Sequence, residues 1–149
     1  MYCTEADLRG MIKSDVLGLL ISGAETGTPE ENQAKIGEII LQAIEDAGAE
    51  IDGYLAKLYT VPLVRVPQVI VKYAKDIAAY NLITRIGVGK DDDREQNYYK
   101  RYQAALRFLE LVAKGTVGLG LNPPTAQAAG GFRMDGPRRV FTRKNLKGM

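Results

Sequence analysis

The residues able to do chemistry are few and thinly spread. Histidine is absent and cysteine occurs once, as Cys3. Without histidine the chain lacks the side chain that titrates nearest neutrality, so a Ser-His-Asp or Cys-His arrangement within one copy is excluded, as is a His-ligated zinc. A lone thiol forms neither an internal disulfide nor a CxxC knuckle, and Cys3 reads as incidental. The only run of three carboxylates is Asp91, Asp92 and Asp93, and the later Gly and Glu that an EF-hand loop needs are missing. These carboxylates read instead as a polar junction favoured by the positive end of a following helix. Tyr98, Tyr99 and Tyr102 interleave with Lys100 and Arg101, a composition that would suit base stacking. Tyrosines at helical spacing more often pack, with their hydroxyls in water. The expectation is no enzyme, no metal and no cofactor.

Charge is uneven along the 149 residues. Residues 1–132 hold 14 basic and 17 acidic side chains, a net of −3. Residues 133–149 hold six basic residues against Asp135 alone, a net of +5. A mildly acidic body with a basic tail implies two surfaces for different partners. Hydrophobic residues make up 46% and charged residues 26%, ordinary for a folded chain. No apolar run is long enough to span a bilayer, and MYCTEADLRG has neither a basic n-region nor an apolar h-region, so a soluble cytosolic chain is expected.

The elements that position these residues read as helices. Thr4 and Asp7 form a capping-box pattern ahead of Leu8, Met11 and Ile12. A second short amphipathic piece follows Ser14 or Asp15, weakened by Gly18. SGAETG, residues 22–27, reads as a surface loop. Thr28, Pro29, Glu30 and Glu31 then make the strongest start signal: an N-cap, a proline at the first turn, and acids at the dipole's positive end. Ile36, Ile40, Ala43, Ile44, Ala47, Ile51, Leu55 and Leu58 continue at helical steps, predicting one helix from about Pro29 to Tyr59. Gly37, Gly48 and Gly53 interrupt it, and a close helix crossing would explain them.

Residues 60–67 cannot extend that helix, because Pro62 and Pro67 force extended backbone before them; a short buried connector is expected. Pro67 opens a third long pattern, stopped by Gly87 and Gly89. The last helix begins near Asp93, ends at Gly115, and carries Tyr98, Tyr102, Ala105, Leu106, Leu109, Leu111 and Val112 as its apolar face. Residues 116–121 suit an extended edge segment. From Ala126 onward the apolar residues are too sparse for a core. The fold class is therefore all-α: a bundle of four to five helices over residues 1–121, with an extended basic C-terminal arm over 122–149.

Several stretches, in order, carry a resemblance to a known family: YCTEADL at residues 2–8, AIEDAGAEIDGYL at 43–55, Tyr59-Thr-Val-Pro-Leu63 with Val66-Pro67, DIAAY at 76–80, Arg101-Tyr102 through Leu109, Val112-Ala113, and Gly115 to Gly120. Over roughly residues 2–121 the sequence resembles the Mu-like phage and prophage family of small helical head-tail connector proteins. The resemblance does not extend beyond Leu121.

The resemblance implies a structural adaptor of a bacteriophage neck. It would form a homo-oligomeric ring, commonly of about twelve copies, under the portal protein and above a tail-side neck or terminator protein. It would reside at the virion's head-tail junction after a stay in the host cytoplasm, and DNA would pass its lumen without specific binding. In that setting Phe132, Arg133, Arg138, Arg139, Val140, Phe141, Arg143 and Lys144 are the expected portal-binding arm. Glu25, Glu30, Glu31, Asp91, Asp92 and Asp93 are the candidate channel-lining acids, since DNA carries one negative charge per ~1.7 Å of axis. The alternatives are a nucleic-acid-binding helical module and a tail-terminator or head-completion ring protein.

Overall fold

The computed structural model describes residues 1–21, 27–87 and 93–121, the last stretch with its side chains from Glu95 onward. Five α-helices and a short 3-10 turn account for its regular structure, and no strand occurs among the described residues. Helix α1, Glu5–Met11, begins with a full capping box: the Asp7 N–H donates to Thr4 Oγ1 at 3.3 Å and Thr4 N–H donates to Asp7 Oδ2 at 3.0 Å. Helix α2, Ser14–Gly18, has no side-chain cap and relaxes into the 3-10 turn Leu19–Ile21.

Helix α3, Pro29–Leu55, starts as its sequence dictates, with Thr28 and Glu31 capping one another around Pro29. It ends earlier than the apolar spacing predicts. Ala56 is the C-cap, and the amides of Leu58 and Tyr59 turn back on the Leu55 carbonyl. Helix α4, Gln68–Ile86, has Pro67 as its N-cap rather than its first residue, and stops at Gly87 with φ 68°, the left-handed conformation glycine adopts without strain. Helix α5 spans Asp93–Ala113.

Order of contact fixes the topology. Tyr73 meets Phe108 while Tyr80 meets Tyr102, so α4 and α5 are antiparallel. Glu50 meets Tyr102, Leu58 lies by Gly115, and Tyr59 accepts from Leu119 N–H at 3.1 Å, so α3 and α5 run parallel. Helix α4 is the centre: Ile70, Ala74, Ile77, Ala78, Ala79 and Leu82 are all buried, against Ile40, Ile44, Ile51, Leu109 and Val112 from its neighbours. α1 and the coil before it close the open side between α3 and α4, placing Tyr2, Cys3 and Leu8 in the core.

Four expectations need correction. The connector 60–67 is not buried as a whole: Thr60, Pro62, Val64 and Arg65 are exposed, Val64 fully so, while Val61, Leu63 and Val66 are half-buried against the core, because extended backbone turns alternate side chains to opposite sides. Leu111 is 41% exposed rather than part of the apolar face, since it sits across α5 from Leu109 and Val112. The three glycines of α3 do not mark one crossing: a Cβ at Gly37 would meet Glu5 at 3.4 Å, one at Gly48 would meet Tyr2 at 4.0 Å, and one at Gly53 would meet nothing within 4 Å. Residues 116–121 pair with no strand among the described residues; they fold back, with Leu119 buried and its N–H on the Tyr59 hydroxyl.

Candidate functional site

The described surface is electrically lopsided. Helix α3 holds seven acidic residues and one basic, Lys35, whereas Lys100, Arg101 and Arg107 on α5 and Lys114 just beyond it are exposed cations. Because α3 and α5 run parallel, their starts share one end of the bundle, which brings exposed Glu30 and Glu31 to the end where α5 begins at Asp93. Glu31 is already engaged, its Oε2 accepting from Thr28 N–H at 3.0 Å. Among the expected channel-lining acids, Glu25, Asp91 and Asp92 lie outside the described residues, as does the side chain of Asp93. The whole expected portal-binding arm, Phe132, Arg133, Arg138, Arg139, Val140, Phe141, Arg143 and Lys144, also lies outside them.

At the other flank of α3 the N-terminal residues form a shallow groove of about 470 Å³, lined by Met1, Tyr2, Cys3, Leu41, Ile44 and Val71. The buried Tyr2 hydroxyl donates to Asp52 and accepts from Leu63 N–H at 3.1 Å, tying the chain's start to α3 and to the connector. Burial first, then the Asp52 carboxylate, pushes its pKa up to about 12. Burial, and secondarily Asp7, pushes the Cys3 thiol up to about 11, so it is held protonated and unreactive. The Thr4 hydroxyl and N–H hold the Asp7 carboxyl below the usual carboxylate range, with Lys75 helping at 3.6 Å. Sequence reasoning missed Tyr2 as a structural anchor; periodicity carries no signal for a residue before the first helix.

The other missed residue is Asp76, 1% exposed in the middle of α4. Lys72 Nζ reaches its Oδ2 at 3.0 Å and Arg101 reaches its Oδ1 at 2.6 Å. The only signal for it is an acid set among Ala74, Ile77 and Ala78 on the most apolar helix, with Lys72 one turn before. This cluster is a set of ion pairs on one buried carboxylate that ties α4 to α5.

The tyrosines of α5 pack. Tyr102 stacks on Tyr80, with centroids 4.5 Å apart and planes at 18°, and its hydroxyl donates to Glu50 at 3.1 Å. Burial, then Glu50, pushes Tyr102 up to about 12. Tyr98 reaches the Met11 carbonyl at a long 3.5 Å, and Tyr99 alone is substantially exposed. One exposed ring is no platform for successive bases. Among the described residues no group of three or more Cys, Asp or Glu side chains is placed to hold a metal ion, and no helix is long and apolar enough to cross a membrane.

Comparison with known proteins adds identity to this geometry. The family model described as "Bacteriophage Mu, Gp36" matches residues 2–135, running past Leu121 into the segment read as an arm. The Mu-like prophage FluMu protein gp36 of Haemophilus influenzae is 34% identical over 119 residues, 78% of this chain and 77% of that protein. Gene product J of Escherichia phage Mu is 29% identical over 106 residues, 69% of this chain and 70% of that protein.

Proposed function

Because the chain belongs to the bacteriophage Mu Gp36 family, we propose that it is a head-tail connector, a structural adaptor that rings the DNA path beneath the portal and performs no catalysis. The observation that carries this reading is a helical body whose longest helix, α3, is acidic, followed by a tail with a net charge of +5. Exposed Glu30 and Glu31 at the start of α3 would face the lumen and let DNA slide, because they offer the phosphates no cations to displace their counterions. A cationic, sparsely apolar tail suits an extended grip on an acidic ring, with arginines steering the approach and Phe132, Val140 and Phe141 supplying apolar anchors.

The test is a pull-down of the purified portal ring by the full chain and by a chain ending at residue 125. The full chain is expected to be retained and the shortened one lost; equal retention overturns the docking role of the tail. Co-sedimentation with the tail tube but not the portal would favour a terminator instead. Tight binding to duplex DNA that falls steeply with salt would favour the nucleic-acid module. The packed state of Tyr98 and Tyr102 weighs against that last outcome.

A further inference from the structure

Two helices of this bundle carry matching ladders of opposite charge. On α3, Glu38, Glu45 and Asp52 follow one another at seven-residue steps. Lys100, Arg107 and Lys114 do the same along α5 and its end. Seven residues are nearly two helical turns, about 10.5 Å of rise, so each set forms one narrow stripe with the same repeat. Glu38, Glu45, Lys100, Arg107 and Lys114 are exposed, and Asp52 is half-buried, its Oδ1 accepting from the Tyr2 hydroxyl. Each stripe also contains a leucine left 41% exposed: Leu41 between Glu38 and Glu45, and Leu111 between Arg107 and Lys114.

The stripes face different directions. The acidic one lies on the flank of α3 that Leu41 shares with the N-terminal groove, whereas Glu50, on the opposite flank, is the residue that reaches α5 through Tyr102. The basic one lies across α5 from buried Ala105, Leu109 and Val112. Within one copy the ladders therefore do not meet. Lys114 instead holds Glu110 at 3.7 Å, with both side chains more than half exposed, a pair that opens at little cost.

We infer that the acidic stripe of α3 binds the basic stripe of α5 on the next copy of this chain, head to tail, and that this contact propagates the ring. The inference rests on the ring reading above and specifies its interface. A heterologous contact of this kind closes into a ring when successive copies are related by one small rotation. Such a rotation keeps helix directions nearly unchanged, and α3 and α5 are parallel within a copy, so they meet parallel between copies. With all three rungs matched, Glu38 faces Lys100, Glu45 faces Arg107, Asp52 faces Lys114, and Leu111 settles on Ala49, which places the next copy's α5 about five to ten residues nearer the start of α3 than the copy's own. The equal repeats mean that one matched rung aligns all three. Individually these surface pairs are weak, and the contact gains strength from the leucines and from repetition around the ring.

The test uses the full chain at millimolar concentration and low salt. Isotope-labelled and unlabelled copies are mixed, treated with a zero-length carbodiimide, and digested for mass spectrometry. Mixed-isotope links Glu38–Lys100 and Asp52–Lys114 are expected. No link between copies overturns the inference. So do links from Glu38 to Lys114, which require antiparallel helices that a ring does not allow, and links to Lys144 or Lys147, which would put the tail on the acidic stripe. In parallel, sedimentation compares four chains. E38K/E45K and K100E/R107E are each expected to weaken self-association by roughly tenfold or more. Mixing those two variants, or combining all four substitutions in one chain, is expected to restore it to within roughly threefold. Failure of both restorations overturns the pairing. The portal pull-down separates this result from the connector reading: ladder variants that still bind the portal and ring normally sink only the ladder, and ladder pairing without portal binding sinks only the connector.

Discussion

The Arg101 guanidinium lies 2.6 Å from Oδ1 of Asp76, a carboxylate with no exposed side-chain surface, and so an ion from α5 neutralises a charge at the centre of α4. The approach is an ion pair rather than an aligned hydrogen bond, since Oδ1 has no hydrogen-bond partner of good geometry. Lys72 covers the other oxygen but is 61% exposed, so water screens its pair. Arg101→Gln is therefore expected to destabilise the fold by about 1–3 kcal/mol, because a buried acceptor loses its charged partner. Lys72→Gln should cost less than ~1 kcal/mol. Urea unfolding of the two variants checks the order, and a larger loss at Lys72 would show that the seam is held otherwise.

Alkaline pH should loosen the bundle in a defined window. Tyr2 and Tyr102 have native pKa values near 12 against an ordinary 10, so the folded state keeps protons that the unfolded state releases. Their contribution is complete below pH 10 and is lost as pH rises through 12. Cys3, at about 11 against 9, adds a similar loss beginning near pH 9. Thermal unfolding followed from pH 8 to 12 should show a falling midpoint, and Tyr2→Phe should flatten the slope above pH 10. An unchanged slope in that variant would mean that Asp52 and burial do not hold the Tyr2 proton.

Cys3 should be nearly inert in the folded chain. It is buried and its thiol is held protonated. Iodoacetamide at pH 8 is expected to label native protein at least roughly tenfold more slowly than urea-unfolded protein. Equal rates would show that residues 1–4 spend their time away from the core.

The start of α3 offers a test independent of the core. Thr28→Ala removes the acceptor for Glu31 N–H and is expected to cost about 1 kcal/mol, with Thr28→Gly costing only a few tenths. Amide exchange in the first turn of α3 should rise in the alanine variant. No change there would mean that Pro29 alone fixes the helix start.

What the sequence made legible was local. Thr28-Pro29 at a helix start and Gly87 at a helix stop were readable because caps act through neighbouring backbone groups. The apolar steps of α3 from Ile36 to Leu55 were readable because one helix face must meet the core. Burial that depends on a distant partner was not. Val64 and Leu111 are apolar types that the packing leaves outside, and Tyr2 and Asp76 are polar-tipped types that it takes inside. The stripes on α3 and α5 were equally hidden, because a seven-residue charge repeat gains meaning only once the helices are known to be parallel and the residues of the repeat known to be exposed. The family resemblance lay in ordered fragments and gave identity, while periodicity gave architecture.

Tyr2 makes its hydrogen bonds 50 and 61 residues further along the chain. A ribosome delivers the first residues of this protein long before it delivers Asp52 and Leu63, so the opening stretch waits unpaired through most of the synthesis of α3. Closing so long a loop carries a chain-entropy cost that short-range helix contacts do not. The α3–α5 contacts Glu50–Tyr102 and Tyr59–Leu119 close loops of similar length, and a nascent chain stalled before the connector holds Tyr2, Cys3 and Leu8 open to solvent and to chaperones.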